Sequence, residues 1–276
     1  MEEKNVLTKQ NYATNHFFMS YSRLCRFKKC EAAAAADYHE PTTTSQLVGS
    51  YVDAYFSDEL EDFKKEHPEI LNSRTGQLKA DFLKAEDLIK RIESDEIFMD
   101  FMSGEKQVIM TGNICGYPFK IKIDSYLKDR AIVDLKVVKD FNKVWSDSYG
   151  GYYNFIEAWD YDIEMAIFQE IVFQNTGKKL PCYIAAITKE EPSDIGIFEI
   201  PQENLDLALL MAKDSVPRIK KILEGVVRPN RCEKCSYCRS TKKAKVLSYD
   251  LAGLNGLALS EKGIDCTDPI VKKEEK

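Results

Sequence analysis

Residues 119–141 read FKIKIDSYLKDRAIVDLKVVKDF, two stretches of alternating apolar and charged residues around the polar turn Lys128-Asp129-Arg130. Successive side chains of a strand point to opposite faces. Lys120, Lys122 and Asp124 therefore share one face of the first stretch, and Phe119, Ile121 and Ile123 the other. In the second stretch Ile132, Asp134 and Lys136 stand back to back with Val133, Leu135 and Val137. A hairpin at the surface of an antiparallel sheet would simply leave such a charged face in water. The alternative is that the charges meet for a purpose. Asp124 and Asp134 can share a face only with an odd-length loop or a bulge near Lys128–Arg130, because a regular two-residue turn would send them to opposite sides.

The surrounding pattern predicts an α/β fold. From Lys106 to Val138 the period is that of a β-meander, with turn signals at Thr111-Gly112-Asn113 and again at Lys128-Asp129-Arg130. Upstream, residues 19–39 read as a helix capped by Ser20 or Ser22. Ser45 announces a second helix in which Val48, Val52, Tyr55, Phe56, Leu60 and Phe63 recur at helical spacing, and a third is expected from Ala80 to Phe101. Downstream, residues 155–177 return to helix and stop at Gly177, two short strands follow at 181–189 and 195–201, and Pro217 should kink or divide a long helix at 202–225. Tyr12, Phe17, Phe18 and Tyr21 read as an aromatic staple into the core.

The chain has 276 residues, enough for a sizeable core, and a formal net charge of -6, which excludes a generally basic surface. Nucleic-acid contacts would have to come from local patches. Arg23 and Arg26, with Lys120 and Lys122 on the charged strand face, are the candidates, and a second basic run extends from Arg218 to Lys245. No apolar run approaches a membrane span and the N-terminus lacks a signal-peptide pattern, so a cytoplasmic protein is expected, with no membrane partner. Eight cysteines without a secretory signal, three of them at Cys232, Cys235 and Cys238, suggest a metal rather than disulfides.

Two carboxylates and a lysine in the order D…D-x-K on adjoining strands supply what metal-dependent phosphodiester cleavage needs. Oxygen ligands suit Mg²⁺ or Mn²⁺, which can polarise a phosphate and acidify water, and an ammonium on the same face can orient that water or offset developing charge. The order of motifs, a helix with GSYVD, the meander with Asp124, then VDLK, then a helix with EMAIF, resembles the PD-(D/E)XK nuclease superfamily, in particular the RecE-like exonuclease domains of phages and prophages and their RecB-like relatives. The resemblance implies a restriction-endonuclease-like core, a central mixed sheet with a meander flanked by helices. It further implies metal ligation by Asp124, Asp134 and the Leu135 carbonyl, with Lys136 as catalytic lysine. Asp53 stands four residues after Gly49, where relatives carry histidine, and can ligate through oxygen. Glu164 and Phe168 stand where relatives carry glutamine and tyrosine, and Phe168 lacks the hydroxyl.

The resemblance also implies that one cysteine before the core completes the C-terminal three. Cys30 is the expected fourth ligand and Cys25 its rival, holding a 4Fe-4S cluster, a Zn²⁺ ion, or no metal at all. The expected organisation is a nuclease domain over 1–230, a cysteine-bearing appendage over 231–245 packed on it, and a C-terminal extension over 246–276. The implied activity is resection of linear double-stranded DNA in the bacterial host cell of a phage or prophage, beside a RecT-like single-strand annealing protein and in a homo-oligomeric ring. A nuclease fold reduced to a binding module is the alternative.

Overall fold

The computed structural model describes residues 7–146 and 149–244. The expected extension at 246–276, Lys245 and Cys266 lie outside them. In chain order the elements are α1 (Tyr21–Lys29), α2 (Glu31–Ala35), α3 (Thr44–Phe56), α4 (Leu60–Glu66), α5 (Ala80–Glu93), α6 (Glu96–Phe101), β1 (Glu105–Ile114), β2 (Tyr117–Leu127), β3 (Ala131–Val138), β4 (Val144–Ser146), β5 (Gly151–Tyr153), α7 (Phe155–Ala158), α8 (Tyr161–Thr176), β6 (Cys182–Thr188), β7 (Ile195–Glu199), α9 (Gln202–Leu223) and α10 (Ser236–Ser240). Five strands form one sheet in the order β1-β2-β3-β6-β7. The β1–β2, β2–β3 and β6–β7 pairs are antiparallel, whereas β3 and β6 run parallel, joined by the crossover that carries α8. The result is the expected mixed sheet, a meander extended by a crossover and flanked by helices. No helix among the described residues is long and apolar enough to cross a membrane.

Each face of the sheet carries its own apolar cluster. Ile121, Ile123, Ile132 and Ile184 pack with Ile167 and Ile171 of α8 and with Ala208 and Ala212 of α9. On the other face Val133, Leu135, Ala185 and Ile187 pack with Val48 and Val52 of α3 and with Phe82 and Ile89 of α5. This arrangement decides the question raised by the charged strands. β3 lies at the centre of the sheet between β2 and β6, and Asp134 is only 3% exposed. The reading of a solvated hairpin face therefore does not hold.

Several helices break where the sequence pattern runs on. The first expected helix ends at Cys30, whose extended backbone (φ -163°) caps α1 and starts α2. The second divides at Ser57 and Asp58, the third at Ser94, with Asp95 capping α6 through the Phe98 N–H, and the fourth at Asp160, which is left-handed (φ 59°). The long helix behaves in the opposite way, since α9 runs through Pro217 without division. Proline cannot donate to the carbonyl four residues back, that of Lys213, and the Cys115 thiol donates to it at 3.6 Å. The first hairpin turn also moves. Thr111 to Asn113 are strand, and the chain reverses at Cys115 and Gly116. A Cβ on Gly112 would come within 2.6 Å of Gln174 Oε1, so this glycine serves the close approach of α8 to β1. Gln174 bonds the Asn113 main chain in both directions, at 2.8 and 2.9 Å, which covers part of the edge strand.

Candidate active site and cysteine centre

The β2–β3 turn is a three-residue loop, Lys128 to Arg130, and it pairs Leu127 with Ala131, Tyr126 with Ile132 and Ser125 with Val133. This is the odd-length register that brings Asp124 toward Asp134. The ladder opens beyond Ser125. Ile123 and Tyr126 feed the same apolar cluster although they are three residues apart, so the alternation of β2 slips by one at Asp124 and Ser125. Asp124 occupies the gap, and its Oδ2 accepts the Leu135 N–H at 2.9 Å. The side chain thus satisfies a main-chain donor that the opened ladder would leave orphaned in the interior.

Around this gap the structure gathers five of the residues singled out in the sequence. Asp53 arrives from α3, which packs on β3 with Gly49 beside Val137. Glu164 arrives from the first turn of α8 and forms an ion pair of 3.0 Å with Lys136, which also pairs with Asp134. Burial raises the Asp124 carboxyl well above the usual range, and the nearby Asp53 and Asp134 raise it further. Burial likewise raises Asp53, against the pull of Lys122, and lifts Glu164 to about 7. Burial opposes the charge of Lys136, yet Asp134, Glu164 and Asp124 together outweigh it and hold the ammonium well above its ordinary value. The four carboxylates face the ammonium groups of Lys136 and Lys122, and Lys106 interacts with Asp124 as well.

The donor set fits a hard divalent cation. It is all oxygen, it carries more negative than positive charge, and Asp134 Oδ2 is buried with no aligned hydrogen-bond donor beside its ion pair. The carboxylate oxygens stand further apart than the cysteine sulfurs described below. The Gln107 amide lies between two of them, with Nε2 at 3.4 Å from Asp53 Oδ1, 3.2 Å from Asp124 Oδ1 and 2.7 Å from Ser57 Oγ.

Gln107 carries no sequence signal. It lies between the paired residues Lys106 and Val108, opposite Asp124, with φ at 53°. A turn centred on Gly112 would have set Asp100 there instead. Tyr161 is a second addition, its ring centroid 5.0 Å from Lys136 Nζ. Phe168, at the position where relatives carry tyrosine, is buried in the main core and serves packing.

The candidate phosphate contacts fare unevenly. Lys120 is 4% exposed; its ammonium binds the main-chain carbonyls of Tyr12 and Asn15, and burial lowers its pKa. It ties the N-terminal segment to β2 and cannot serve as a surface contact. Lys122 lies 5.9 Å from the Tyr12 ring centroid and acts electrostatically on Asp53. Arg23 donates to the His16 carbonyl at 2.7 Å, and Arg26 to Asp37 at 2.9 Å and the Tyr38 carbonyl at 3.2 Å, so both guanidinium groups are engaged within the protein.

Cys30 meets Cys232, Cys235 and Cys238, with all four sulfurs within 4.8 Å of one another. Cys30 and Cys238 are 3.5 Å apart, Cys232 and Cys238 3.9 Å. Cys25 stands outside this group and its thiol is pushed up to about 11, chiefly by burial. The helix break at Cys30 is what turns its thiol toward the C-terminal three. Main-chain N–H groups of Cys235 and Cys238 point at the sulfurs of Cys232 and Cys235, at 3.3 and 3.4 Å. Burial opposes ionisation of Cys232, but the main-chain N–H groups of Cys235 and Lys234, with the thiols of Cys235 and Cys30, overcome it and bring the thiol down to about 6. The segment is docked by Glu31, which takes Arg218 in a two-pronged pair at 2.6 and 2.8 Å and the Asn230 N–H at 2.7 Å.

Residues 20–241 match the family model described as a PDDEXK-like domain of unknown function (DUF3799). The fold is also similar to a crystal structure from Eubacterium rectale of a chain described as a candidate exonuclease, with a TM-score of 0.86 and 42% sequence identity, covering 91% of this chain and 99% of that one. No curated protein matches the chain.

Proposed function

The chain belongs to the PDDEXK-like family DUF3799, and from that premise we propose that it is a divalent-metal-dependent exonuclease acting on linear double-stranded DNA. The observation that carries this reading is the convergence of Asp53, Asp124, Asp134 and Glu164 on the half-buried Lys136 at the point where the β2–β3 ladder opens. Like charges gathered in the interior are costly unless a cation joins them, and a solvated face or a packing role would not gather them.

Asp53, Asp124 and Asp134, with the Leu135 carbonyl, would hold the cation. When bound, it supplies charge that polarises the scissile phosphate and acidifies the attacking water. Lys136 is placed to orient that water and to stabilise charge on the phosphate in the transition state. Glu164 and Tyr161 fix the ammonium by ion pairing and by the ring face. Gln107 restrains Asp53 and Asp124 from the β1 side.

For the cysteines the sulfur spacing favours a single tetrahedral ion. Zn–S bonds of about 2.3 Å place tetrahedral sulfurs about 3.8 Å apart, close to the separations seen here, whereas a four-iron cube must hold its cysteine sulfurs considerably further apart. Of the alternatives the sequence leaves open, a 4Fe-4S cluster, zinc or no metal, we therefore propose zinc, in a structural role.

By its resemblance to RecE-like domains, the reading extends to resection of DNA ends for recombination beside a single-strand annealing protein. The exonuclease assignment is tested by incubating the protein with linear and covalently closed circular duplex of the same sequence in Mg²⁺. Linear DNA should be digested from its ends while the closed circle persists. Equal loss of both forms would replace the exonuclease with an endonuclease.

A further inference from the structure

The chain contains only two tryptophans, Trp145 and Trp159, and both are more than half exposed, at 53% and 56%. Tyr152 is 68% exposed. Large, half-exposed rings clustered within one short segment form an apolar patch of the kind that marks a contact surface.

The placement is specific. Trp145 and Tyr152 are cross-strand partners in the β4–β5 ribbon, so they share its outer face, with ring centroids 5.4 Å apart. The inner side is anchored: Val144 packs against the main core, Ser146 is buried, and Tyr153 meets Tyr149 at 5.3 Å. The ribbon follows directly on β3, which carries Asp134 and Lys136. At its other end Tyr149 donates to Asp160 at 2.5 Å, and Asp160 also pairs with Lys28 at 2.8 Å. Tyr21 bonds the main-chain carbonyls of both Trp159 and Asp160, at 3.1 and 2.9 Å. The next residue, Tyr161, lies over Lys136. Trp159 is thus fixed two residues from the ring that touches the proposed catalytic lysine. Lys139, with its side chain 95% exposed, and the exposed Lys143 stand on the stretch between β3 and the ribbon.

We infer that the outer face of β4–β5, Trp145 with Tyr152, together with Trp159 at its base, is a stacking platform for unpaired bases of the DNA strand beside the site. Aromatic rings flanked by cations suit single-stranded nucleic acid, because every base has a π face and every linkage a negative phosphate. Continuity with the Asp134–Lys136 strand favours this occupant over a protein partner. The inference rests on the nuclease reading and deepens it, by giving the separated strand a place to lie.

The two tryptophans make the test direct. Their emission is followed while a short oligodeoxythymidylate is added in chelator, so that nothing is cut, and an abasic oligomer of the same length serves as comparison. Saturable quenching by the base-bearing oligomer and little by the abasic one is expected, with affinity falling about tenfold in Trp145→Ala and in Tyr152→Ala. No quenching, equal quenching by both oligomers, or unchanged affinity in both variants would overturn the platform and leave the face to a protein partner or to phosphate contact alone. The same wild-type preparation is assayed for cleavage of linear duplex in Mg²⁺. Cleavage without quenching rejects the platform alone, and quenching without cleavage rejects the nuclease reading alone.

Discussion

Lys136→Ala should lower the single-turnover rate of DNA cleavage by on the order of a hundredfold or more while leaving DNA and metal affinity near wild type. The ammonium is paired with both Asp134 and Glu164, against the Tyr161 ring, so it is held in place before substrate arrives. A group preorganised in this way acts chiefly on charge that develops in the transition state, and its loss appears in the rate more than in binding. Phosphate contacts elsewhere are unaffected by the change, and removing a cation from beside carboxylates does not weaken their hold on another cation. Lys136→Met, which keeps the stem, should behave alike and guards against a packing artefact. Calorimetric Mn²⁺ titration and filter binding in chelator, run with the cleavage assay, separate the effects. Near-wild-type cleavage by either variant would remove Lys136 from the chemistry.

Cys238→Ser should abolish the cysteine-bound metal and undock the C-terminal segment. Cys238 is fully buried, with sulfur contacts to both Cys30 and Cys232, and it joins residues more than two hundred positions apart in the chain. A metal bound there closes a very long loop, and its binding free energy is folding free energy for the segment. Elemental analysis should show one zinc per wild-type chain and none in Cys238→Ser, with a stability loss of about 3–5 kcal/mol and rapid proteolysis between residues 228 and 244. Cys25→Ser should retain the metal, because Cys25 lies outside the four. Brown wild-type protein containing iron and sulfide would contradict the zinc assignment, and wild-type protein without metal would contradict the centre itself.

Much of the proposed site could be read from residues 119–141, because strand alternation and loop length are local properties. Asp134 and Lys136 on one face follow from the spacing alone, which also sets the condition, an odd-length loop or a bulge, for Asp124 to approach them. The burial of that face does not. It depends on β6 pairing with β3 across the α8 crossover, Ile132 meeting Cys182, and on α3 and α8 closing over the strands, contacts that no short-range period records. Cys232, Cys235 and Cys238 were evident from spacing, whereas Cys30 came through the family resemblance, and the helix break that presents its thiol is masked by an alanine-rich run of high helix propensity. Pro217 misled for a related reason. The local rule is sound, but the carbonyl it frees finds the Cys115 thiol in the tertiary structure, a donor far from it in the sequence. Gln107 was invisible because the reversal of the first hairpin lies at Cys115 and Gly116, and moving a turn by a few residues changes every cross-strand partner. Lys120 shows the converse error: its place on the charged face was right, but the N-terminal segment covers it.

Cleavage at the junction of α3, β2, β3 and α8 is tested most directly by one rate comparison, that of wild type and Asp134→Ala on an end-labelled linear duplex. Both proteins are purified identically and assayed in Mg²⁺, in Mn²⁺ and in chelator. Asp134 is nearly fully buried and lies among like charges, so its replacement should leave the fold intact, as a melting curve can verify. Wild-type digestion that stops in chelator, and falls about a thousandfold or more in Asp134→Ala at either metal, is the expected result. Digestion at equal rates by the two proteins, or wild-type digestion that persists in chelator, would contradict it.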